Sequence, residues 1–168
     1  MSHQPVIDGF EFATAGATQE GTLPIGSFPR LQDVLVSDKG EAAYTLRGVR
    51  DERGRLGLRL QVRATLQLRC QRCLGAVAYD ADTDEILVLA ASQAEIDADP
   101  ITVDAPSRVV GGKEMAVRDL VEDEMILALP YAARHEDCEA SPEGRDAEHE
   151  RAARSPFAGL RGMMQRKH

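Results

Sequence analysis

Tryptophan is absent from this chain, and the aromatic share is only 4%. A sheet that reads RNA by stacking bases on exposed rings is therefore not expected, and the core must be built from Leu, Val, Ile and Ala. Cysteine is scarce as well: three residues cannot all pair, so reduced thiols in a cytoplasmic protein are the economical reading. The first thirty residues carry one cation, Arg30, and no apolar run fit for a signal peptide. No segment approaches the roughly 20 apolar residues of a membrane span. A glycine-rich phosphate loop is missing, and Ser and His lack the spacing of a nucleophile motif, so neither an enzyme nor a small-molecule substrate is expected. Positive charge is in deficit too. A net charge of −8 excludes a protein that coats nucleic acid over its whole surface.

What is present suits one globular domain: 168 residues, 43% hydrophobic and 29% charged. Its clearest feature runs from Arg55 to Cys73. Leu56, Leu58, Leu60, Val62, Ala64, Leu66 and Leu68 alternate with polar residues, the period of a strand with one buried face. That strand delivers Cys70-Gln71-Arg72-Cys73 into a tight turn. Charge is unevenly spread around it. Arg47 to Arg72 holds eight arginines against Asp51 and Glu52, a local balance of +6. Glu136 to Glu150 holds seven acids against Arg145, a balance of −6.

In chain order, Val6 to Phe12 alternates and suggests an edge strand. Leu31, Val34 and Leu35 suggest a short helix ending near Ser37, after a loop with Pro24, Gly26 and Pro29. Glu41 to Arg50 reads as a strand with a bulge at Gly48, and residues 51–54 as a hairpin turn with Gly54 at positive φ. Val77, Tyr79 and Ala81, then Ile86 to Leu89, complete an antiparallel meander. A short helix at Ser92 to Ile96 and an extended piece at Ile101 to Val103 follow. Met115 to Leu129 has helical periodicity stopped by Pro130, with Arg118, Glu122 and Asp123 on the outer face and Glu124 near the apolar stripe. The expected fold is α+β: an antiparallel sheet of about four to six strands that could curl toward a barrel, plus one main helix. Residues 1–138 form the domain; residues 139–168 read as a mostly disordered charged tail carrying an apolar hook at 155–160.

Three constellations could carry function. Cys70-x2-Cys73 and His135-x2-Cys138 together offer three thiolates and one imidazole, a full donor set for one structural zinc with no open position. The alternative is unligated thiols at a strand end; a redox pair fits less well, because the motif closes an antiparallel strand. Arg59, Arg63 and Arg69, with Gln61 and Gln67 on the same face and Arg72 just beyond, could grip RNA phosphates, or be an ordinary solvated sheet face. Glu122, Asp123 and Glu124 do not converge on one atom, so a solvated helix face is favoured over acid–base chemistry.

The order of these pieces is recognisable. Leu68-Arg69-Cys70-Gln71-Arg72-Cys73-Leu74, the helix from Asp119 to Pro130, the His135 to Cys138 segment and Ser155-Pro156-Phe157-Ala158-Gly159-Leu160 together resemble the YceD family of bacteria and chloroplasts. The resemblance runs from about Gly40 to Gly162. It implies a non-enzymatic role in synthesis, processing or stability of large-subunit (23S) ribosomal RNA. Some relatives look as if they carry two full Cys pairs, which implies a metal site; here His135 takes the place of one Cys. The partners implied are rRNA or a precursor of the large subunit at Arg59, Arg63, Arg69 and Arg72. A basic ribosomal protein could dock at Glu122, Asp123, Phe157 and Leu160. The alternative is a zinc-stabilised protein-interaction adaptor without RNA contact.

Overall fold

Alternating apolar residues give the strand that the pattern requires. In the computed structural model of the chain, which describes residues 5–98 and 106–138, Leu56–Arg69 is one unbroken strand. The elements run β1 (Val6–Ile7), α1 (Gly9–Ala15), β2 (Thr18–Pro24), a 3-10 turn (Ile25–Ser27), β3 (Leu35–Ser37), β4 (Glu41–Arg50), β5 (Leu56–Arg69) and β6 (Ala76–Ala90). They continue with α2 (Gln93–Ala98), β7 (Arg108–Val110), β8 (Met115–Ala116) and α3 (Val117–Ala128). The expected segment Ile101–Val103 and the tail from 139 onward, with Phe157 and Leu160, lie outside the described residues.

Six strands form one sheet in the order β2-β4-β5-β6-β7, with β3 pairing the far end of β5. All pairs are antiparallel except β6 with β7, which is parallel. β1 and β8 make a separate antiparallel ribbon. The fold is α+β, but the sheet does not close into a barrel: α1 and α3 cover its apolar face, so the strands need not curl round to cover one another. Register places Leu60 between Leu46 and Glu85, and Val62 between Tyr44 and Thr83. Leu58, Leu60 and Val62 are fully buried, each contributing roughly 1.5–3 kcal/mol by leaving water.

Four local expectations are corrected. Val6–Phe12 is mostly α1 rather than strand, because the Asp8 side chain caps the Glu11 N–H at 3.0 Å and Gly16 closes the helix in the left-handed region. The Leu31–Leu35 spacing gives turns and then β3, which finds a ladder on β5 instead of continuing a helix. Gly48 makes no bulge; β4 pairs β5 in continuous register through it. Its lack of a side chain admits α1, since a Cβ there would lie 2.4 Å from the Phe12 carbonyl oxygen. The outer face assigned to α3 is also wrong at Glu122, which is buried; Glu124, expected near the apolar stripe, is buried as that position implies. Gly54 does take φ 76° in the hairpin turn.

Candidate metal centre and its surroundings

The turn after β5 is held by its own backbone: Cys70 N–H donates to the Gly75 carbonyl at 2.8 Å, and Leu74 N–H to the Cys70 carbonyl at 3.0 Å. Leu74 occupies the left-handed region at φ 62°. Past α3, Leu129 turns extended before Pro130, and the chain crosses back over this turn as a strap. Gln71 N–H donates to the Ala133 carbonyl at 2.8 Å. Tyr79 Oη donates to the Ala128 carbonyl, fixing the end of α3 to β6.

These contacts bring Cys70, Cys73, His135 and Cys138 together, with all ligand atoms within 4.8 Å of one another. Cys70 Sγ lies 3.8 Å from Cys138 Sγ, and Cys73 Sγ lies 3.4 Å from His135 Nδ1. A tetrahedral zinc with Zn–S near 2.3 Å and Zn–N near 2.0–2.1 Å has S···S edges of about 3.8 Å and S···N edges of about 3.6 Å. The donor set therefore fits such an ion in kind and in spacing. His135 Nε2 lies 2.8 Å from the Ala76 carbonyl oxygen, so it carries the proton and leaves Nδ1 free as the ligand. The backbone N–H of Cys73, with those of Arg72 and His135, holds the Cys70 thiol down to about 5 against the opposing effect of burial. Burial, then the neighbouring sulfurs of Cys70 and Cys73, pushes Cys138 up. Three sulfurs so close become comfortable as thiolates only around a cation.

The arginine face is less basic than its sequence. Arg59 grips Asp84 with two nitrogens at 2.7 and 2.6 Å, and Gln61 donates to the same carboxylate at 2.8 Å. Arg63 meets Asp82 at 3.2 Å, and Thr65 donates to Asp80 at 2.6 Å. The acids alternate along β6 and were open to view in Asp80-Ala81-Asp82-Thr83-Asp84; a charge count ending at Arg72 passes them by. Arg69 and Arg72, by contrast, are exposed and have no acidic partner among the described residues. Arg72 borders a cavity of about 450 Å³ with Arg134, His135 and Glu136. Arg134 is a cation that strand-based reasoning overlooked. Tyr131 on the same strap is fully exposed.

On α3 the three acids part company. Glu122, 1% exposed, turns inward and accepts hydrogen bonds from Arg30 and Leu31, so it cannot present itself to a partner. Asp123 is exposed and ion-paired to Arg30. Glu124 is buried over β6.

No described helix is long and apolar enough to cross a membrane. No curated protein and no solved structure matches the chain. One sequence family does, the large ribosomal RNA subunit accumulation protein YceD, over residues 58–163. That span opens inside β5 and takes in the Cys turn, β6, α3 and all four candidate ligands. With the match covering well over half of its length, this chain belongs to the YceD family, whose description ties it to accumulation of large-subunit ribosomal RNA.

Proposed function

We propose that this protein is a non-enzymatic factor in the synthesis, processing or stability of 23S rRNA, acting in the cytoplasm on the RNA or on a precursor of the large subunit. The family match carries the reading, because it spans the whole metal-turn region as well as α3. Cys70, Cys73, His135 and Cys138 would hold one structural zinc, which supplies a four-point clamp between the strap and the sheet. Full coordination by protein leaves no position for a substrate, so the clamp organises a surface.

RNA contact is assigned to the metal-turn end. Arg69, Arg72 and Arg134 lack acidic partners among the described residues, and Tyr131 on the strap is exposed, a combination suited to phosphates and an unpaired base. Arg59 and Arg63 already satisfy their charge on Asp84 and Asp82. Two measurements test this. Tagged protein recovered from growing cells after crosslinking should carry 23S precursor RNA above an acidic control protein. In vitro, replacing Arg69, Arg72 and Arg134 with Ala should flatten the salt dependence of binding to single-stranded rRNA fragments by about two units of log–log slope. Replacing Arg59 and Arg63 should leave the slope nearly unchanged; the opposite ranking would return the contact to the sheet face.

A second reading is favoured by the aspartates on β6 and the net charge of −8: a zinc-stabilised adaptor that binds proteins alone. Recovery of a few proteins without rRNA would select it.

A further inference from the structure

The apolar face of β6 contains an interruption. Tyr79 and Ala81 precede it and Leu87 and Leu89 follow, but Thr83 and Glu85 occupy the two positions opposite buried Val62 and Leu60. Above them α3 sets Glu124, only 3% exposed. Between strand and helix lies a cavity of about 210 Å³, lined by Thr83, Glu85, Ser107, Glu124, Leu127 and Ala128. Thr83 Oγ1 is buried without a hydrogen bond. Glu124 has no hydrogen-bond or ion-pair partner among the described residues, whereas Glu122, two positions earlier, is fully met by Arg30 and Leu31. Burial first, then the charges of Glu85 and Asp123, pushes the Glu124 carboxyl above its ordinary range. A carboxylate held in this cavity without a donor from the described chain, beside a buried hydroxyl that lacks a partner, is open to a donor from outside.

We propose that this cavity is a socket for a single cationic side chain, arginine or lysine, presented by a basic partner protein. Its volume suits a guanidinium or ammonium head. Leu127, 76% exposed at its rim, offers apolar surface to an aliphatic stem. A bare metal ion fits less well, since the group of three or more metal-ligating side chains in close reach among the described residues is the cysteine–histidine set and not these carboxylates. The negative charge of the whole chain draws a basic partner toward it. The socket replaces Glu122 with Glu124 and Glu85 as the docking acids. It rests on the proposed function only in expecting a basic protein partner, and stands if the RNA contact fails.

The test uses the full-length protein and a fluorescent arginine-rich peptide, with its glutamine-substituted counterpart as control. Wild type should bind the arginine peptide. Glu124→Gln should weaken that binding about tenfold or more, Glu85→Gln less, and Asp123→Asn, an exposed rim charge, hardly at all. Glu124→Gln should also keep or raise the thermal midpoint, because it removes an unmet buried charge. Three results overturn the socket: equal losses in Glu124→Gln and Asp123→Asn, a lowered midpoint in Glu124→Gln that reveals a partner within the chain, or Mn²⁺ binding that Glu124→Gln abolishes.

Discussion

Glu122 takes the backbone N–H of Arg30 on one carboxylate oxygen at 2.6 Å and the Arg30 Nε on the other at 3.0 Å, across 92 residues of sequence. The first oxygen also accepts from Leu31 N–H at 3.3 Å. One α3 side chain therefore replaces the hydrogen bonds that the turns between β2 and β3 cannot make for themselves. Glu122→Ala strands buried N–H groups and should cost about 3 kcal/mol in urea unfolding. Arg30→Ala keeps the main-chain bonds and loses half-exposed ion pairs to Glu122 and Asp123, costing about 1 kcal/mol. Equal costs would mean that the guanidinium, and not the backbone, is what Glu122 serves.

Metal content gives the second prediction. Purified wild type should hold one zinc per chain, and Cys73→Ser should lose it together with the strap's protection from protease around residues 131–138. Cobalt substitution should give the visible spectrum of three sulfurs and one nitrogen. A metal-free wild type with full protection would remove the clamp.

At Gly48 the backbone of α1 leaves no room. An alanine Cβ would meet the Phe12 carbonyl oxygen at 2.4 Å and Ala13 Cα at 2.8 Å. Because these are backbone atoms, α1 must shift, and Gly48→Ala should cost about 2–3 kcal/mol. Gly54→Ala meets no atoms, only an unfavourable φ of 76°, and should cost about 1 kcal/mol. Thermal unfolding of the pair checks the order.

Acid should weaken the sheet face. Hydrogen bonds from Arg59 and then Gln61 hold the Asp84 carboxyl down to about 2, against an ordinary value of 3.8. A depressed folded-state value stabilises above the ordinary one and is lost as protons bind, so the contribution is complete above about pH 4 and fades toward pH 2. The pair is exposed enough for salt to screen it, so the effect is modest. Asp84→Asn should reduce the acid dependence of stability between pH 4 and 2 and converge with wild type below pH 2; an identical acid profile in both proteins would contradict the ion pair.

Legibility in the sequence followed period length. β4, β5, β6 and α3 each repeat long enough to declare themselves, and the four candidate ligands stand out by spacing alone. α1 was missed because its seven residues are fixed by the Asp8 cap and Gly16, which outweigh a chance alternation. β2 and β3 were missed because their strands exist through partners, β4 and β5, rather than through a pattern of their own. Arg59 and Arg63 look free along their own strand, but their charge is settled across the ladder by Asp84 and Asp82. Glu122 looks like surface because an acid is usually there, and only its packing against Arg30 shows otherwise; Glu124 borders the apolar stripe in the pattern itself.

β6 runs without a break from Ala76, which receives the His135 imidazole, past Glu85 to Ala90. Nine strand steps take the chain from Ala76 to Glu85, a span of roughly 30 Å along one stiff rib. Tyr79, between them, donates to the Ala128 carbonyl, so the strap and the roof of the cavity under α3 hang from the same rib, and loosening either should be felt by the other.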